Sequence, residues 1–194
     1  VRDSSVADDL TRAAVTLFAA QGYANTSVQQ IVDDAGVTKG AMYHYFESKD
    51  DLLFAIYERM LSLQKSHLDD LVARGGAVDD VVRAVCIDVV ETSIEFLAEG
   101  TVFFRSLHML TEPRRLEVIR RRREYHDEFS RLIERGQREG LYRTDIPRAV
   151  LIANFFSDIH YLSHWYDPSG PEGKNLVAEQ LTDLFLRGIR RTND

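Results

Sequence analysis

Residues Val32–Leu52 read VDDAGVTKGAMYHYFESKDDL, a glycine turn followed by a short segment crowded with Thr, Lys, Tyr and His. Apolar positions on either side recur at helical spacing, and Gly36 can take the positive φ that a tight turn between two helices needs. Two helices joined through Ala35-Gly36-Val37 form a helix-turn-helix, with Thr38–Tyr45 as its second helix. In that geometry the N-terminal residues of the second helix meet base edges in the major groove, while helix N-termini and hydroxyls hold phosphates. Thr38, Lys39, Tyr43 and His44 supply donors for both tasks, and Gly40 and Ala41 permit close approach. Met42, Tyr45 and Phe46 can turn inward to a three-helix core. Spacing alone also admits a plain helical hairpin whose polar residues are merely solvated.

Outward from this stretch, every segment reads as helix. Helix one is expected from about Ser5 to Gln21, with Leu10, Ala13, Ala14, Leu17 and Phe18 on one face and Gly22 past its end. Helix two begins at Asn25-Thr26-Ser27, and helix four opens at Ser48 with Asp50 and Asp51 in its first turn. Further helices are expected near 78–98, 101–110, 114–138, 147–166 and 173–190, punctuated by Gly100, Pro113, Gly140 to Pro147 and Pro168 to Gly173. The 194 residues, 44% of them hydrophobic, can bury a real core. No apolar run approaches the ~20 residues that span a bilayer and no signal-peptide h-region opens the chain, so a cytoplasmic address is expected. The single cysteine, Cys86, sits in an apolar run and reads as a buried thiol, without disulfide or metal framework.

The stretch TSVQQIVDDAGVTKGAMYHYFESKDDLL resembles the DNA-binding domain of the TetR family of bacterial transcriptional regulators. The likeness covers the Thr-x-x-x-Ile pattern of helix two, the Ala-Gly-Val turn, the Lys-Gly-x-x-Tyr-x-Tyr-Phe segment and the Ser-Lys-x-x-Leu start of helix four. It implies an all-α chain with a helix-turn-helix domain over residues 1–47 and a helical effector-binding and dimerisation domain over 48–194, linked by helix four. It further implies a cytoplasmic homodimer on a palindromic operator. By position, Thr26 or Ser27 would cap helix two against a phosphate and Gln29 would reach DNA from its first turn. Lys39 would approach bases, with Thr38 and Gly40 beside it. Tyr43 would bond a phosphate, His44 would touch DNA from the exposed side, and Lys49 would pair with a phosphate. For Tyr45 a core role and a phosphate contact stay equally open.

One feature departs from the pattern. Residues 1–60 hold five bases (Arg2, Arg12, Lys39, Lys49, Arg59) against nine acids (Asp3, Asp8, Asp9, Asp33, Asp34, Glu47, Asp50, Asp51, Glu58). A DNA-binding domain is normally basic. Helix N-termini and neutral hydroxyls bind phosphate without net charge, so the fold survives while long-range steering weakens. A basic arm ahead of Val1 would make up the shortfall.

Residues 80–165 are rich in large apolar groups, and pockets between bundle helices are lined by such residues with a few polar ones. Candidates for an effector pocket are Phe103, Phe104, His108, Tyr125, Phe129, Phe156, His160 and Trp165; structural packing is the competing reading of each. His160 and His164 stand four apart, but no carboxylate completes a metal spacing, so neither metal nor cofactor is expected. The stripes Ala149, Ile152, Ala153 and Phe156, then Val177, Leu181, Leu184 and Gly188, fit an intersubunit four-helix bundle, with intrachain packing as the alternative. The segments HWYDPSGP and LTDLFLRGI are similar to the matching region of TetR regulators of catabolism that respond to acyl-CoA thioesters. Such members can carry arginine and tryptophan one turn apart on helix eight, whereas this chain has Phe156 and His160. Arg114, Arg115 and Arg120 to Arg123 could meet CoA phosphates, or form a solvated charge-laced helix with Glu112, Glu117, Glu124, Asp127 and Glu128.

These readings converge on a DNA-binding regulator, a repressor released by a small hydrophobic or acyl-CoA-type effector. An activator of the same fold is the nearest rival. A helical enzyme using His108 or His160 as base is another, though no Ser/His/Asp or Cys/His arrangement accompanies those histidines.

Overall fold

The computed structural model describes residues 5–191; Arg2 and Asp3, counted in the charge balance above, lie outside them. Ten α-helices are present among the described residues: α1 (Val6–Gln21), α2 (Val28–Asp34), α3 (Lys39–Tyr45), α4 (Lys49–Arg74), α5 (Val78–Glu95), α6 (Leu97–Ser106), α7 (Glu112–Arg138), α8 (Arg148–His160), α9 (Leu162–Trp165) and α10 (Lys174–Ile189). A single 3-10 turn, Leu107–Met109, follows α6. The described residues contain no strand, and the one β-bridge pairs Tyr142 with Arg190. No described helix is long and apolar enough to cross a membrane.

The chain divides into two compact units. One runs up to Leu61 and takes in Ala98–Arg120; the other comprises Ser62–Leu97 and the chain from Arg121 onward. In the first unit, Ser5 closes a capping box with Asp8 at the start of α1, and Ser27 closes another with Gln30 at the start of α2. These caps satisfy amide groups that no earlier turn can reach. Leu10, Ala14, Phe18, Ile31, Val32, Met42, Leu52 and Leu53 are buried in this unit. Gly36 closes α2 with φ 67°, where a side chain would be strained, and so redirects the chain into α3. Tyr57 is fully buried; its hydroxyl donates to the Phe103 carbonyl at 2.6 Å and its ring lies 4.6 Å from that of Phe103. That bond ties α6 to the first half of α4.

The second unit packs α5 against α10 around Val82, Val85, Cys86, Val89, Phe129, Phe155, Phe185 and Leu186. Cys86 is fully buried, and burial pushes its thiol well above the ordinary value, so it is inert as the sequence implied. The Tyr142 ring packs against Gly136, and a Cβ at that glycine would stand 2.2 Å from it. Its hydroxyl donates to Asp79 at 3.2 Å, and Arg190 bonds the same carboxylate. Two amides, Arg143 N to the Ile189 carbonyl at 2.8 Å and Arg191 N to the Leu141 carbonyl at 2.9 Å, hold the end of α10 to this corner.

Three helix boundaries differ from the sequence reading. Gly100 does not punctuate: α5 ends at Glu95, the chain turns at Phe96, and α6 runs from Leu97 through Gly100 to Ser106. Pro113 does not separate helices: it sits in the first turn of α7, where its missing N–H costs nothing. The helix expected over 147–166 stops at His160, and after Tyr161, which caps both ends of the break, a four-residue α9 follows.

Candidate nucleic-acid interface

Thr38, the N-cap of α3, accepts the Ala41 amide through its hydroxyl at 3.1 Å. From there Lys39, Gly40, Tyr43 and His44 are all exposed on α3, while Met42 is fully buried and Phe46 nearly so. The helix thus turns its apolar residues into the unit and its hydrogen-bonding residues to solvent. Tyr45 is 48% exposed and meets His44 edge-on at 5.1 Å, which settles it on the surface rather than in the core. A Cβ on Gly40 would meet only Thr38 Oγ1, at 3.7 Å. Packing within the unit therefore does not require glycine there.

At the start of α2 the two hydroxyl candidates separate. Ser27 is the cap, accepting the Gln30 amide at 3.2 Å, and is exposed. Thr26 is buried: its hydroxyl donates to the Gly22 carbonyl at 2.9 Å and accepts from Gln21 Nε2 at 3.1 Å. Its side chain is a structural lock, and Ser27 alone presents a hydroxyl outward. Gln29 is exposed and donates to Asp33 at 2.6 Å.

Lys49 is half-buried, and its Nζ donates to the carbonyls of Tyr23 at 2.9 Å and Thr26 at 2.7 Å, lying 4.2 Å from the centre of the Tyr23 ring. Burial lowers its ammonium below the ordinary lysine value. Of its three donors two are spoken for, so at most one reaches outward. Its first task is to fix the loop ahead of α2, a role no spacing rule revealed.

Sequence reasoning also missed the surroundings of Asp50 and Asp51. Beyond facing the helix dipole, both are ion-paired: Arg114 Nη1 bonds Asp50 at 2.9 Å and Arg114 Nη2 bonds Asp51 at 2.7 Å. Thr111 donates its amide and hydroxyl to Asp50, and the Glu47 amide donates to Asp51 at 3.0 Å. The fork of Arg114 is therefore engaged inside the first unit. Arg120 pairs with Glu117 and Arg121 bonds Ser62. The arginine run is at these points a charge-laced helix.

The proposed pocket residues fall into two groups. Phe103, buried, and Phe104, exposed, stack edge-on at 5.3 Å in the first unit, where His108 is exposed. Tyr125, Phe129, Phe156, His160 and Trp165 belong to the second. There Phe156 is the hub, with His126 stacked on it at 4.4 Å, Phe129 edge-on at 5.6 Å and His160 at 6.2 Å. His126 was not singled out from sequence; its i,i+4 partner across the arginine run, Arg122, hid it among solvated charges. Trp165 is 51% exposed on α9. His164 follows the break at Tyr161, so His160 and His164 share no helix face, and the described residues hold no cluster of His, Cys, Asp or Glu fit for a metal.

Of the interface residues, Ile152, Phe156 and Val177 are buried inside the second unit itself and are core. Ala149, Ala153, Leu184 and Gly188 are exposed and Leu181 is half-buried. Val150, Asn154, Leu181, Leu184 and Gly188 line a surface groove of about 340 Å³ between α8 and α10, so the α8 positions that face the groove stand one residue on from the exposed Ala149 and Ala153.

Residues 10–56 match the family described as bacterial regulatory proteins, tetR family, and residues 75–189 match the tetracyclin repressor-like C-terminal domain. The HTH-type transcriptional repressor KstR2 of Mycolicibacterium smegmatis is 26% identical over 95% of this chain and 91% of its own length. The solved structure of the ketosteroid transcriptional regulator KstR2 of Mycobacterium tuberculosis superposes with a TM-score of 0.90 at 22% identity, covering 98% of both chains. That of AibR in complex with isovaleryl coenzyme A and operator DNA does so with a TM-score of 0.78 at 22% identity, over 94% of this chain and 96% of that one.

Proposed function

Because the chain belongs to the TetR family of bacterial transcriptional regulators, we propose that it is a homodimeric repressor that sits on a palindromic operator and leaves it when a hydrophobic effector binds. It is a DNA-binding regulator and not an enzyme. The observation that carries the reading is the division of α3, with Met42 inward and Thr38, Lys39, Gly40, Tyr43 and His44 outward, beside the exposed cap Ser27. Ser27, Tyr43 and Lys49 hold phosphates, Lys39 and Thr38 approach base edges, and Gln29 and His44 touch the flanks. The cytoplasm, where operators are, is the place of action.

The effector is a hydrophobic acid or its CoA thioester. Support comes from the aromatic cluster about Phe156 and from the isovaleryl coenzyme A held by AibR. Release requires that the effector bind the non-DNA state more tightly, with coupling of ~1–3 kcal/mol.

Fluorescence anisotropy on the duplex upstream of the gene, against a shuffled duplex, tests the assignment. Lys39→Ala should erase much of the preference between the two, while Lys49→Ala should weaken both about equally and lower the salt slope by about one. Isovaleryl-CoA, longer acyl-CoAs and the free acids are then added in turn. Equal effects of the two lysine changes on both duplexes would remove the assigned roles. Deletion of the gene that lowers target expression would make the chain an activator.

A further inference from the structure

The acidic balance of the N-terminal residues and the engagement of Arg114 are two sides of one arrangement. Asp50 and Asp51 follow Lys49 in the first turn of α4, where negative charge suits the helix dipole but opposes a phosphate. All four of their carboxylate oxygens receive a donor: Thr111 N and Thr111 Oγ1 with Arg114 on Asp50, and Arg114 with Glu47 N on Asp51. Arg114 comes from 63 positions beyond Asp51 and also lies 5.3 Å from the Phe54 ring centre. Its side chain is 28% exposed, and those of Asp50 and Asp51 19% and 27%, so these pairs are screened less than surface ones. Lys49 alone cannot offset two carboxylates, and its ammonium is already shared by the carbonyls of Tyr23 and Thr26.

We infer that Arg114 is a positioning residue for DNA binding: a counter-charge, supplied from α7, that neutralises the acidic N-terminus of α4 and lets it lie against a phosphate. The DNA-binding head thereby gains from outside residues 1–60 a base that its own composition lacks. The fork also holds Asp51, which accepts the Glu47 amide, so the same contact braces the turn between α3 and α4. The inference rests on the placement of the α4 N-terminus at a phosphate proposed above.

The test uses the full-length chain and a duplex that the wild-type protein selects from a random-sequence pool, with affinity measured by anisotropy over a range of salt. Arg114→Gln should weaken binding about tenfold and flatten the salt slope by about one. The double variant Asp50→Asn, Asp51→Asn removes both negative charges while leaving one acceptor oxygen at each position, the other becoming an NH2 donor, and should bind more tightly than wild type with a steeper slope. Opposite signs are the signature of a counter-charge. A clamp that served structure alone would weaken binding in both variants, and that result overturns the inference, as does wild-type affinity in both. Circular dichroism verifies helicity; should Arg114→Gln fail to fold, the direction of change in the double asparagine variant decides alone. Lys49→Ala separates the two layers. If it leaves binding unchanged, the placement of α4 is wrong and the inference goes with it; if it weakens binding while the other variants do nothing, the counter-charge alone is wrong.

Discussion

His160 stands at the last turn of α8, with its ring beside Phe156, on which the His126 ring also stacks. Burial pushes its imidazole down to about 4, helped by the positive charges of Arg122 and His126. His126 is lowered by the same causes, burial first and Arg122 next, with Asp127 pulling the other way. In the folded chain both rings are therefore neutral over a range where the unfolded chain, near 6.5, takes up protons. Stability from this site is complete above about pH 6.5 and is lost as the pH falls toward about 4. Asp79, whose carboxyl is lowered by the hydrogen bond from Arg190, loses its contribution only below the ordinary carboxylate range. Thermal unfolding followed from pH 7.5 to 5 should thus show a falling midpoint in the wild type and a flatter profile in His160→Phe. Identical profiles would mean that His160 titrates as an exposed ring.

At the scale of the element, Gly136 shows where packing overrides propensity. Glycine inside α7 should be improved by alanine, since a helix interior favours alanine by ~0.5–1 kcal/mol. Here the added Cβ would meet the buried Tyr142 ring, which Asp79 holds by its hydroxyl and which cannot swing away cheaply. Gly136→Ala should cost about 1–3 kcal/mol in chemical denaturation, whereas Gly100→Ala in α6, with open space around it, should be neutral or stabilising. A gain at both positions would dissolve the account. The same contrast explains what was legible in the sequence. Caps, turns and apolar periodicity are local, so Ser5, Ser27, Gly36, Thr38 and the inward Met42 could be read from neighbours three or four positions away. Lys49 and Arg114 could not, because their partners are set by tertiary approach: two carbonyls across a loop for Lys49 and two carboxylates far up the chain for Arg114. The end of α8 was missed for a related reason. Tyr161, Leu162 and Trp165 keep the apolar character of a continuing helix, and no glycine or proline marks the break.

For the whole molecule, the proposed two-fold assembly places its demand on the groove between α8 and α10. Leu184 is 69% exposed and Val150 54%, beside Leu181 and the bare Gly188, so a single chain leaves this apolar face in water. A second copy covering it would satisfy the hydrophobic surface twice over, because a two-fold interface meets each residue from both sides. Leu184→Asp therefore separates assembly from folding. In an isolated chain the new carboxylate is solvated, and helicity and unfolding of the monomer should change little. Across the interface it would be buried twice without a partner, at a cost of several kcal/mol, and the dimer should dissociate. Light scattering should report monomer, and binding to a duplex with two half-sites should fall while binding to a single half-site changes far less. Ile152→Asp gives the contrast: that side chain is 7% exposed inside the unit, and its replacement should unfold the chain rather than merely part it. If Leu184→Asp stays dimeric with native helicity, α8 and α10 do not carry the interface, and the exposed leucine must be matched by another surface.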